Sequence, residues 1–124
     1  EQAGILHVRC TGTRRFEIDG TPRQQGDGLW LADVGLLPDD EAQAPEAVLL
    51  PTVQALASAI DALRRQDAMP FIEPFRFDDA GWVANRWCEI LPIPLAAKQR
   101  LMALPDPQLR LRLVDEYLRG KGVV

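Results

Sequence analysis

Serine, histidine, lysine and cysteine are scarce in this sequence: Ser58 and His7 stand alone, with two lysines, Lys98 and Lys121, and two cysteines, Cys10 and Cys88. A serine nucleophile needs a base within hydrogen-bond reach and donors that hold the developing oxyanion. Ser58 lies inside LASAIDAL, an amphipathic helical pattern, while Lys98 belongs to a helix link and Lys121 to a terminal tail. There is no glycine-flanked nucleophile and no Gly-rich loop ending in Lys-Ser/Thr, so the sequence offers neither a peptidase nor an ATPase centre and no catalytic residue is expected. His7, Cys10 and Cys88 are too dispersed for a four-ligand zinc site, so no metal or cofactor is expected. The cysteines read as two buried free thiols, because disulfides are uncommon in the cytosol. The acidic pairs Asp39-Asp40 and Asp78-Asp79 fall at a strand exit and a helix start, where carboxylates serve as caps.

Clustered positive charge and long apolar runs are missing as well. Fourteen basic residues against 18 acidic ones give a net charge of -4, and the basic residues occur singly or in pairs such as Arg14-Arg15 and Arg64-Arg65. Nucleic-acid binding draws its affinity from clustered cations, so no nucleic-acid partner is expected. No apolar run reads as long enough to cross a bilayer and no signal-peptide pattern opens the chain, so a cytoplasmic protein without a membrane partner is expected.

What is present suffices for a core: 124 residues with 47% hydrophobic content suit one modest domain. From Ile5 to Ile18 the residues alternate, with Leu6, Val8, Cys10, Phe16 and Ile18 on one parity and His7, Arg9, Thr11, Arg15 and Glu17 on the other, the pattern of a half-buried strand. Gly12 marks a bulge or bend, so one bent strand or two short ones fit equally. Asp19-Gly20-Thr21-Pro22 and Gly26-Asp27-Gly28 supply turn residues before a second apolar run, Leu29 to Leu37, which together read as an antiparallel hairpin.

Beyond Pro38-Asp39-Asp40 the period lengthens. Val53, Leu56, Ile60 and Leu63 share a helix face that closes near Asp67 and Pro70, with a start between Glu46 and Pro51 preferred. Met69 to Phe77 (MPFIEPFRF) is too interrupted for a helix and too apolar for a solvated linker. Asp78 is expected to cap a helix whose buried stripe is Val83, Trp87, Ile90 and Leu91; Pro94 starts a short helix; Asp106-Pro107 starts a last one carrying Leu109, Leu113 and Tyr117, with Val114 and Leu118 alongside, and ending near Gly120. The fold class is therefore α+β: antiparallel strands over residues 1–40, then a compact bundle of about four helices over 41–124. A lone hairpin is marginally stable and leaves two open edges, and the chain opens without methionine, so further strands are expected ahead of it.

The ordered motifs carry a resemblance. Gly12 to Ile18 (GTRRFEI), Gly28-Leu29-Trp30-Leu31-Ala32-Asp33-Val34, Pro38-Asp39-Asp40, then Asn85 to Pro92 (NRWCEILP), Pro94-Leu95, Lys98-Gln99-Arg100-Leu101 and Asp106-Pro107 resemble the LON substrate-binding domain of Lon proteases. Asp78-Asp79-Ala80-Gly81-Trp82-Val83 looks more like small stand-alone bacterial members. The resemblance implies a PUA-like β part, here incomplete, followed by helices. It also implies a non-catalytic module that recognises exposed hydrophobic segments of unfolded polypeptides. The residues offered for that contact are Phe71, Phe75 and Phe77 in the Pro-rich connector, with Trp30 and Trp82, against packing as the competing role for aromatics. The rival functional class is a structural module that self-associates through its open strand edges.

Overall fold

The structure is a computed structural model describing residues 3–124. Two strands precede four helices: β1 (Phe16–Gln24), β2 (Trp30–Leu36), α1 (Leu50–Arg65), α2 (Ala80–Ile90), α3 (Leu95–Ala103) and α4 (Pro107–Gly120), with one 3-10 turn, Ala47–Leu49, leading into α1. This is the α+β order expected. The chain divides into two compact units, one ending at Asp39 and the other spanning Asp40–Val124.

In the first unit β1 and β2 form a two-stranded antiparallel sheet. Its strands are displaced from the expected positions. Residues 5–15 form no strand despite their alternation, and β1 instead runs through Asp19-Gly20-Thr21-Pro22, the residues read as a turn. They are accommodated by a bulge between Asp19 and Arg23, where Gly20 takes φ +74°. The reversal is made by Gln25 to Leu29: Gln25 N–H donates to Leu29 O at 2.8 Å, Gly28 N–H to Gln25 O at 2.9 Å, and Asp27 Oδ1 accepts from Leu29 N–H. Cys10, expected to be buried, is exposed.

The second unit holds the core: Leu49, Leu56 and Ile60 of the first helical stretch, Val83, Ala84 and Trp87 of α2, and Leu111, Val114 and Leu118 of α4. Pro51 occupies the first turn of α1, where no intrahelical amide bond is lost. Two helices end in the same closure. Asp67 (φ 53°) and Gly122 (φ 73°) follow the last turns of α1 and α4, and the next amides, Ala68 and Val123, reach back to Leu63 O and Leu118 O, both at 2.9 Å. α4 ends at Gly120, as expected, and Gly122 just beyond it supplies the positive-φ closure.

Four further expectations are corrected. Asp79, not Asp78, caps α2, its carboxylate accepting from Gly81 N–H at 3.3 Å. Pro94 is the residue before α3 rather than its first. On α4, Leu109 and Leu113 are each 38% exposed, whereas Arg110, Leu111, Val114, Asp115 and Leu118 face inward. Val114 and Leu118 are core as expected, with Tyr117 packed against them; Leu109 and Leu113 are not, because Arg110 and Asp115, which polarity alone puts outside, are turned inward by specific partners. Finally, the 19 residues Ala47–Arg65 are long and apolar enough to cross a membrane by length and composition, contrary to the sequence reading. Here their apolar stripe is packed into the core of the unit.

Arg110 is wholly buried, and each of its three guanidinium nitrogens donates. Its guanidinium grips Asp40 through both nitrogens (2.5 and 3.1 Å), donates to Leu101 O at 2.7 Å, and donates to Leu104 O. Gly81 makes room for this clasp, since a Cβ there would come within 2.7 Å of Asp40 Oδ2. Around Asp115, Thr52 Oγ1 donates at 2.6 Å and Arg119 Nε at 2.8 Å, while Trp87 Nε1 donates to Thr52 O at 3.0 Å. Each buried polar group in these two networks is matched, the condition for a polar group to be tolerated in a core.

Candidate functional site

Pro70 and Pro74 keep the connector out of helix, so its aromatic residues are set by packing rather than periodicity. Phe71 points inward and is 7% exposed. Phe75, Phe77 and Trp82 form a half-buried triad on the rim of the helical unit, with ring centroids 6.1 Å (Phe75 to Phe77), 5.8 Å (Phe75 to Trp82) and 5.4 Å (Phe77 to Trp82), two of the three contacts edge-on. Asp79 places Trp82 by capping α2 just ahead of it. The guanidinium of Arg64 stands 5.6 Å from the Phe75 ring, and that of Arg86 stands 5.7 Å from Trp82 and 5.9 Å from Phe71. Both arginines also meet carboxylates, Arg86 with Glu89 at 2.7 Å and Arg64 with Asp61 and Glu73 at 3.8 Å. The cation and ring contacts brace the triad.

Trp30, the remaining residue proposed for polypeptide contact, belongs to the other unit. Residues paired directly across an antiparallel ladder share a face, so the register Phe16 with Leu36 and Ile18 with Val34 puts these four on one side. Strand alternation adds Ala32 and Trp30 to it. This face carries no charge, and its five large side chains, Phe16, Ile18, Trp30, Val34 and Leu36, are between 46% and 63% exposed. The opposite face holds Glu17, Asp19 and Asp33 with Arg23, which approaches Asp33 at 3.8 Å. Sequence reasoning had singled out only Trp30 here; the parity of Phe16 and Ile18 was visible, but that the face stands open was not.

The residues considered for chemistry are scattered. Ser58 is exposed on α1, Lys98 Nζ donates to Glu89 O at 3.4 Å, and Lys121 Nζ lies 5.7 Å from the Tyr117 ring. Among the described residues no group of three or more His, Cys, Asp or Glu is placed to hold a metal ion. Burial raises the Cys88 thiol above its ordinary pKa against the opposing pull of Arg110 and Lys98. A shallow cleft of about 410 Å³ beside Glu41, Gln43 and the start of α4 is spanned by Gln108, which donates to Ala44 O and accepts from Glu46 N–H. Gln108 is thus committed to holding the chain together.

The order of strands, connector and capped helices agrees with what most of the chain matches: residues 1–120 fit the family described as ATP-dependent protease La (LON) substrate-binding domain. The chain belongs to the LON substrate-binding domain family. It is thereby a substrate-binding module, matching the non-catalytic part of that protease, and no protease or ATPase family matches it. A crystal structure titled as a Lon N-terminal domain protein from Xanthomonas campestris shares the fold of this LON domain, with TM-score 0.63 and 22% identity over 86% of this chain. This LON chain spans about half, 53%, of that protein. No curated protein matches it.

Proposed function

We propose that this LON domain binds exposed hydrophobic segments of protein substrates without cleaving them, and that its main contact surface is the uncharged face of β1 and β2. The observation that carries this is the face itself: five large apolar side chains on one side of a sheet, each about half exposed. Contiguous apolar surface of that kind on a polar-rimmed element marks a site of association. Trp30 is its largest anchor, and aromatic anchors dominate binding energies at such surfaces. The Phe75, Phe77 and Trp82 triad is the second candidate surface, while Phe71 contributes as packing.

Binding of a permanently unfolded, reduced and alkylated protein, compared with its folded form, tests this reading. The unfolded form is expected to bind, and Trp30→Ser combined with Leu36→Ser to weaken binding about thirtyfold or more, since removing two such anchors costs on the order of 1–2 kcal/mol each at a partly hydrated surface. Equal binding of folded and unfolded forms sinks it. Self-association through the open edges of β1 and β2 is the competing reading, favoured by the same exposed face. A concentration-dependent dimer seen by light scattering, lost in the same double variant, would replace the first reading with the second.

A further inference from the structure

We infer that the irregular segment 40–46 is a strap that positions the aromatic triad: it fixes the first turn of α2, so polypeptide binding at Phe75, Phe77 and Trp82 depends on a carboxylate outside the triad, that of Asp40. This rests on the reading that the triad is a contact surface, and it names what sets the geometry of that surface.

Residues 40–46 form neither helix nor strand, yet they are anchored along their length to α2 and α4. Arg110 of α4 holds Asp40 through both nitrogens. Ala80 N–H, at the start of α2, donates to Gln43 O at 2.7 Å. Gln108 of α4 donates to Ala44 O, and Arg112 of α4 pairs with Glu46. Ordering an irregular segment costs conformational entropy at each residue, and bonds to two different helices offset that cost here.

Four consecutive residues carry the strap's position to the triad. Asp79 caps α2, and its carboxylate meets Arg76 at 3.4 Å. Ala80 is wholly buried and gives its N–H to the strap. Gly81 is wedged between the strap and α4, since a Cβ there would lie 2.7 Å from Asp40 Oδ2 and 3.3 Å from Pro107 Cβ. Trp82 comes next, with its ring 5.4 Å from Phe77 and 5.8 Å from Phe75. Side-chain direction in a helix follows the backbone of its own turn, so displacing Ala80 and Gly81 displaces the Trp82 ring. The other two rings hang from the same stretch, because Asp79 N–H donates to Arg76 O at 3.1 Å and closes the connector that carries Phe75 and Phe77. Rings already held in place bind more tightly than rings that must be ordered on contact, which makes the strap a determinant of affinity.

The test measures binding of a reduced and alkylated unfolded protein to the full chain carrying Trp30→Ser and Leu36→Ser, so that the triad supplies the affinity that remains. Fluorotryptophan labelling and fluorine NMR then report Trp82 and Trp87 separately. Asp40→Asn keeps the side-chain shape but turns one accepting oxygen into a donor facing Arg110, opening the two-pronged grip. Ala80→Pro removes the N–H given to Gln43 at a helix position that suits proline, and leaves Arg110 paired. Each is expected to move the Trp82 resonance more than that of Trp87 and to weaken binding about fivefold. Leu118→Ala is the control for lost stability alone, since it hollows the core about 16 Å along α4 from Pro107. It is expected to move Trp87 more than Trp82 and to change affinity by less than about twofold. Affinity that falls as far in Leu118→Ala as in the strap variants overturns the inference. Because a substitution beside a buried guanidinium can fail to fold, Ala80→Pro decides the case by itself where Asp40→Asn does not fold. Trp82→Ser tests the reading beneath: unchanged affinity in that variant removes the triad as a contact surface and the inference with it. Loss of affinity in Trp82→Ser beside full affinity in the folded strap variants overturns the role of the strap alone.

Discussion

The strand unit is the poorer in apolar residues, 14 of 39 against 44 of 85 in the helical unit, and the two reach opposite outcomes. In the helical unit, residues spaced three and four apart meet partners on three helices, and the core closes around Leu56, Val83 and Leu111, none of which is exposed. In the strand unit no described residue is buried, although Phe16, Ile18, Val34 and Leu36 line one face as regularly as any core strand. The difference teaches that an amphipathic pattern specifies a face and not its cover. A bundle supplies its own cover; a two-stranded sheet has nothing of its own to place on its pleat.

The largest effects should come from breaking the helical side of that comparison. Arg110→Ala leaves Asp40 and two carbonyls without their donor and should cost about 3–5 kcal/mol, read from urea unfolding of Trp82 and Trp87 fluorescence. Leu56→Ala, at a site with no exposure, should cost about 2–5 kcal/mol by the same readout. A loss under roughly 1 kcal/mol in either would mean that the helical core is looser than described. Gly81→Ala drives a methyl against Asp40 and should cost about 1–3 kcal/mol, relieved in the double variant with Asp40→Ala relative to Asp40→Ala alone.

A smaller, pH-dependent effect isolates the second polar network. Burial pushes the Asp115 carboxyl upward, but hydrogen bonds from Arg119 and Thr52, with the charge of Arg119, outweigh it and hold the group below its ordinary value. Its folded pKa lies below its unfolded one, so its contribution is complete above about pH 4, the ordinary aspartate range, and is lost as pH falls through the folded value. Unfolding midpoints of the native chain and Asp115→Asn measured from pH 6 downward should converge on acidification; a constant gap would refute this account. The smallest effect belongs to the strand unit: Val34→Ser should move helical unfolding by less than about 0.5 kcal/mol, because an exposed side chain has little packing to lose. A larger shift would show that the hairpin face is already covered.

Much of the helical unit is legible in the chain. Asp106-Pro107 marks the start of α4 because a capping carboxylate and a proline with no amide to satisfy are both local devices, and the period of Val53, Leu56 and Ile60 gives α1 its inward side. The misreadings share a cause. Leu109 and Leu113 looked like the stripe of α4 because Arg110 and Asp115 are charged, and only partners far along the chain, Asp40 and Thr52, make them inward residues. The turn residues Asp19 to Pro22 lie within β1 because the pairing with β2 absorbs them as a bulge. Of the aromatic residues proposed for contact, their type was visible, but that Phe71 is core, that Phe75, Phe77 and Trp82 are a triad, and that Trp30 lies on a separate open face required coordinates.

The sequence alone determined the order of strands then helices, the caps and prolines that bound them, and the family motifs that run the length of the chain, since each depends on residues close together along it. Tertiary structure decided which faces are buried, which charges turn inward, and which apolar surface stands exposed. Those outcomes depend on what each face meets, and the partner it meets is set by packing across tens of residues rather than by local pattern.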